Sequence, residues 1–210
     1  MKKRLIAAVC IAALLWFYMF SPWTAGVTNF WLTMTASALV LTGLALAFSP
    51  GRLPKMERPL LQVLTGVAWA LLLWGIFWVG DKASAWLFDF ARPEVDSIYA
   101  MKTGFPPMAV ATLLLTVIGP AEEFIWRGYV QHSLVQILAG SKHPADKAFL
   151  ITAAVYALVH IWSFNLMLVM AALVAGCVWG FLYRICPKAL PALIISHALW
   201  DALVFVWMPI

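Results

Sequence analysis

The chain has 210 residues, 64% of them hydrophobic, and a mean hydropathy of +0.92. A soluble domain is roughly half apolar, so this composition excludes a soluble globular protein and makes the lipid bilayer an obligatory partner. The formal charge of +5 does not point to nucleic acid, because the basic residues are scattered through short connections rather than gathered on one face; no nucleic-acid partner is expected.

A spanning helix needs about 20 apolar residues. The length therefore admits an all-α, polytopic transmembrane helix bundle of about seven or eight spans and leaves no room for a soluble domain. Seven apolar stretches are readable, at about 5 to 20, 28 to 48, 59 to 79, 106 to 139, 146 to 162, 164 to 184 and 188 to 208. Lys2, Lys3 and Arg4 precede the first, and no clean small-residue cleavage site follows it, so it reads as a retained anchor. A cytoplasmic N-terminus then puts Lys2, Lys3, Arg4, Arg52, Lys55, Arg58, Lys142, Lys147, Arg184 and Lys188 inside, and only Lys82, Arg92 and Lys102 outside. That asymmetry predicts seven crossings with the C-terminus external.

Residues 81 to 104 mix aromatic and acidic residues. They read either as an interfacial helix that caps a site or gates entry to it, or as a connecting loop with an aromatic belt. The 12 tryptophans are read as interface anchors and lipid-facing bulk and are assigned no chemistry. Cys10, Cys177 and Cys186 form no CxxC pair and lie beside no histidine, which leaves neither a disulfide framework nor a cysteine-built zinc cage.

Setting the loop charges aside leaves Glu122, Glu123, Arg127 and Asp201 inside apolar spans, together with His160 and His197. Each such charge costs about 2.5 to 3.5 kcal/mol even on a lenient insertion scale, so the group must be compensated by pairing or by function. Gly119-Pro120 is expected to interrupt the over-long fourth stretch, with Pro120 opening a new helix. Both glutamates would then lie in a first helical turn, where free N–H groups favour a carboxylate. Glu123 and Arg127 are four apart and face each other, whereas Glu122 points about 100° away and has no partner in its own helix. The Glu123–Arg127 pair reads equally well as a structural knot or as part of a site.

Tyr156 lies one turn below His160 on the same face. His197 and Asp201 are again four apart; either Asp201 orients His197, or a protonated Asp201 donates a hydrogen bond itself. Measured from the inner ends of their spans, Glu122, His160, His197 and Asp201 come out roughly 13 to 26 Å deep, the middle of a 30 Å core, so the three elements are expected to meet.

The motifs Glu122-Glu123-xxx-Arg127, Tyr156-xxx-His160 and His197-xxx-Asp201 resemble the CPBP family of intramembrane endopeptidases, which includes the CAAX prenyl endopeptidase and bacteriocin-processing or self-immunity proteins. The resemblance covers about residues 105 to 208, making 105–210 the catalytic transmembrane core and 1–104 the N-terminal spans and interfacial segment of one integral bundle. It implies a bacterial inner-membrane enzyme that hydrolyses a peptide bond of a membrane-associated protein or peptide. Glu122 and His160 would activate a water, and His197 and Asp201 would stabilise the oxyanion, with no cofactor. Two positions depart from the family pattern: Tyr156 stands where Phe is usual, a difference read as minor, and Asp201 stands where the prototype carries Asn. Three alternatives remain. Glu122, His160 and His197 could hold zinc with Glu123 as base, although no HExxH is present. The cluster could be glue in a non-catalytic immunity or scaffold protein. A proton-relaying transporter would string its carboxylates across the depth, whereas here they are bunched.

Overall fold

The computed structural model describes residues 1–49 and 54–210; Arg52, counted above among the inner basic residues, lies outside them. The described residues are mostly helical, and seven helices among them are long and apolar enough to cross a membrane. These are α1 (Lys2–Phe20), α2 (Phe30–Phe48), α3 (Pro59–Leu87), α5 (Pro107–Ile137), α6 (Pro144–Ser163), α7 (Leu166–Ile185) and α8 (Pro187–Trp207). Between α3 and α5 lies the short α4 (Ala91–Ala100). The protein is an integral membrane helix bundle.

Local chemistry sets the helix starts. Asn29 and Asn165 cap α2 and α7, their side chains accepting from the backbone N–H of Leu32 (3.2 Å) and Leu168 (2.8 Å). Proline occupies the first turn of α3, α5 and α6, where its missing N–H costs nothing. One boundary differs from expectation. The third helix does not stop near residue 79 but runs on through Asp81 and Lys82 to Leu87, because Asp81 finds Arg92 at 2.7 Å and Lys82 at 3.1 Å. At 29 residues, α3 is about 43 Å long, more than the hydrocarbon core requires. Residues 91–100 are helical, so of the two readings of this segment the helix is the one observed.

The bundle is built around α8, the most buried span, and α5, which follows it. Small residues allow this closeness. A Cβ on Gly66 of α3 would lie 2.7 Å from the carbonyl oxygen of Ala192, and one on Gly119 of α5 would lie 2.6 Å from Cα of Ala198. Such backbone-to-backbone approaches are how helices associate in lipid, where no hydrophobic force drives them together. The approach at Gly119 brings the Glu122-Glu123 turn up against α8.

The two ends of the bundle separate cleanly. Met1 and Arg4 share one end with Ser49 and with Tyr129 and Gln136 of α5. At the other end Lys102 donates to the carbonyl of Phe205 (2.9 Å) and Tyr99 accepts from the N–H of Ile210 (3.0 Å). With the loop asymmetry of Lys and Arg, reporter fusions at Lys55 and Lys142 are expected to read cytoplasmic and fusions at Arg92 and after Ile210 external. A cytoplasmic reading at Ile210 would contradict seven crossings.

Candidate active site

The glutamate turn does not open a new helix. α5 continues through Gly119-Pro120, and the sequence expectation of a break is wrong. Pro120 has no N–H, and the helix absorbs the missing bond by widening: Leu114–Ile118 form a π-turn in which the N–H of Gly119 reaches Leu114 O, and a second π-turn spans Phe124–Gln131. Glu122 and Glu123 sit on the regular turn between them, Gly119–Glu123. They therefore have no free helix end to solvate them, and their compensation comes from side chains.

Glu123 is fully buried, as is Arg127. One oxygen of Glu123, Oε2, accepts from Nη1 of Arg127 at 3.1 Å and from Nδ1 of His197 at 2.9 Å. The i,i+4 pairing read from the sequence is present, and it also reaches across to α8. Arg127 further donates from Nη2 to the carbonyl of Gly176 (3.2 Å), and its guanidinium lies 5.1 Å from the Tyr156 ring and 5.6 Å from the Trp179 ring. Trp179 stacks on the His197 imidazole with centroids 3.9 Å apart, and its own N–H goes to Ser196 Oγ at 3.2 Å. Four spanning elements are thus joined through one buried ionic centre. Nε2 of His197 lies 3.6 Å from Asp201, too far for a hydrogen bond. Of the two sequence readings of Asp201, orientation of His197 is not what holds this ring; Glu123 does that.

Glu122 points elsewhere, as helix geometry required. Its Oε2 accepts the hydroxyl of Tyr156 at 3.0 Å. A phenylalanine at this position would lack that donor, so the Tyr156 departure is not minor here. The Tyr156 carbonyl in turn lies 2.8 Å from Nδ1 of His160, so Tyr156 links Glu122 to His160. His160 is not within the regular helix: α6 loses its helical pattern after Leu158, and His160 heads a short 3₁₀ turn, Ile161–Ser163.

Glu122, Tyr156, His160, His197 and Asp201 line one cavity of about 310 Å³ whose remaining surface is mostly apolar. Glu123 and Arg127 lie behind this wall. All six residues singled out by sequence thus converge, four facing the cavity and two buttressing it. The sequence reading missed Tyr156 as a polar contributor, and it placed Asp81 outside the bundle. Asp81 also lines the cavity, with its carboxylate committed to Arg92 and Lys82.

The rim is closed by α4, held at several points. Glu94 caps α7, accepting from the N–H of Met167 (2.8 Å), and the amide of Asn165 donates to Glu94 O (2.8 Å) and Ser97 Oγ (2.9 Å). Arg92 ties α4 to α3, and Tyr99 and Lys102 tie it and the following turn to the end of the chain.

Fold and site together define a polytopic helical membrane protein with a cavity-facing glutamate, two histidines and an aspartate at its centre. Residues 104–203, just under half of the chain, match the family model described as type II CAAX prenyl endopeptidase, Rce1-like. The match takes in Glu122 through Asp201 and leaves α1 to α4 outside. It supports CAAX-type intramembrane protease function, with a protein substrate. No match was found among curated proteins or among solved structures.

The ionic centre generates a stability prediction. Glu123→Gln strands Arg127, and removing one partner of a buried pair costs about 3 to 5 kcal/mol, so the variant should unfold at lower temperature. Combining it with Arg127→Met should recover only part of the loss, since His197 is still deprived of its acceptor. Thermal unfolding in detergent checks this; a wild-type Tm for Glu123→Gln alone would rule out the centre as a stabilising element.

Proposed function

We propose that the protein is a glutamate-dependent intramembrane endopeptidase in which Glu122 is the general base. The observation that carries this reading is the division of labour between the adjacent glutamates: Glu123 is bound to Arg127 and His197, whereas Glu122 faces the cavity with only a neutral hydroxyl on one oxygen. A carboxylate so placed can take a proton from a water in the cavity as that water's oxygen attacks the scissile carbonyl carbon. The carbonyl oxygen becomes the oxyanion. Collapse breaks the C–N bond as the proton held by Glu122 passes to the departing amine nitrogen, leaving a carboxylic acid and an amine.

His160 shares the Glu122 wall and is coupled to it through Tyr156, in keeping with the role in water activation that the resemblance implies. His197 and Asp201 stand as the oxyanion side. With one N–H of His197 committed to Glu123, its Nε2 donates into the cavity when the ring carries both protons, and a protonated Asp201 donates likewise. The largely apolar cavity suits a membrane-associated protein or peptide segment, entering from the bilayer.

We propose further that the reaction needs no metal. Both ring nitrogens of His160 are engaged by the protein, Nδ1 with the Tyr156 carbonyl and Nε2 with the Trp16 indole, so neither is left for a metal. Among the described residues no three His, Cys, Asp or Glu side chains are grouped as a metal site.

Glu122→Gln should be folded, with a Tm near wild type, and should lose cleavage, since removing a general base costs about 10² to 10⁴ in rate. Purified wild-type protein should retain its activity after prolonged chelation. An unstable Glu122→Gln beside a stable, inactive Glu123→Gln would reverse the two roles, and activity restored specifically by zinc or cobalt would replace the mechanism with a metal-dependent one.

Position 201 is proposed to act through a hydrogen bond, because the Asn of the family prototype is isosteric with a protonated Asp. Asp201→Asn should therefore keep substantial turnover while Asp201→Ala loses it. Equal and complete loss in both variants would show that the negative charge itself is required.

A further inference from the structure

Trp16 of α1 is fully buried, and it lies outside the stretch that matches the protease family. Its indole nitrogen is 3.1 Å from Nε2 of His160. An indole N–H can only donate, so Nε2 must be the accepting nitrogen of that imidazole. The opposite side of the ring agrees: Nδ1 lies 2.8 Å from the Tyr156 carbonyl, which can only accept, so Nδ1 carries the proton. Two contacts from two different helices thus select one neutral tautomer.

They also fix where the ring points. Trp16 and Tyr156 meet the imidazole edge-on, at interplanar angles of 85° and 80°, and Phe20 of α1 packs 5.5 Å from it. This support matters because His160 has already left the regular helix, and the chain beyond it turns through Phe164 at a φ of +51°. Trp16 in turn is braced edge-to-face by Trp126 of α5, with centroids 6.3 Å apart.

We propose that Trp16 is a positioning residue for His160, holding the ring in one neutral tautomer and one orientation beside Tyr156, so that the first spanning helix completes the active site of the CPBP-type core. This rests on the proposed role of His160 in cleavage.

The test uses the full chain in detergent, labelled with ¹⁵N-histidine, with His160→Ala identifying the His160 resonances. Trp16→Phe removes the donor, and Trp16→3-benzothienylalanine removes it while preserving the bicyclic shape, which guards against a Phe variant that folds poorly. In either variant the Nε2 resonance should move downfield, as expected for a pyridine-type nitrogen that has lost a hydrogen bond. Turnover should fall about tenfold with KM unchanged, a fraction of the 10² to 10⁴ that an acid–base group contributes. An Nε2 resonance unmoved by the benzothienyl variant would overturn the contact, and unchanged kcat in that variant beside an inactive His160→Ala would overturn the positioning role. Wild-type cleavage by His160→Ala would instead sink the reading of His160 itself, and the positioning role with it, so the two failures are told apart.

Discussion

Burying Glu123 and Arg127 at the middle of an apolar bundle imposes the constraint around which the rest of this structure is arranged. Two ions taken out of water lose several kcal/mol of solvation each, and their attraction repays this only if the remaining donors and acceptors are also engaged. Here the repayment comes from other helices: His197 of α8 on the carboxylate, the Gly176 carbonyl of α7 on the guanidinium, and the rings of Tyr156 and Trp179 on either side of it. These contacts engage most but not all of the pair, Oε1 of Glu123 and Nε of Arg127 having no hydrogen-bond partner, and they set the positions of α5, α6, α7 and α8. The same arrangement leaves Glu122, one residue away, turned about 100° around the helix and facing the cavity.

That outcome depends on how α5 handles Pro120. An ordinary helix start would have given the glutamates backbone N–H groups to bind. The π-turn before Gly119 instead keeps the helix continuous, and Gly119 lets it press against Ala198. The carboxylates are then close enough to α8 for Glu123 to reach His197 at 2.9 Å. π-turns are rare and often found at functional sites, where they re-aim a few side chains without ending the helix.

Much of this was legible in the sequence. Apolar length gave six of the seven spans to within about three residues and ended the third eight residues early, and the cost of charge in lipid singled out all six residues that the fold gathers. The Glu123–Arg127 contact follows from spacing alone. What spacing could not supply was any bond between helices: the Glu123–His197 contact, the Tyr156 hydroxyl on Glu122, and the Trp16 indole on His160. Tyr156 carried a signal, since a hydroxyl in hydrocarbon needs a partner. Trp16 carried none, because one buried tryptophan among 12 looks like any other interface anchor. The uninterrupted α5 was misread because proline normally marks a helix boundary, and only the local widening reconciles Gly119-Pro120 with continuity.

The helix over the cavity rim is held differently from everything beneath it. The spans interlock through side-chain packing and a desolvated ionic centre, whereas α4 adds to its packing of Ala91 and Tyr99 a set of individual polar contacts through Arg92, Glu94, Ser97 and Tyr99, with Lys102 just beyond it. At the water-facing edge of a membrane each such bond is exchanged for one to solvent, at a net cost of about 0.5 to 1.5 kcal/mol. Undoing them one at a time leaves the bundle intact. Of the walls around the cavity, α4 is thus the one whose polar ties can be lost one at a time, along the seam it covers between α3 and α7.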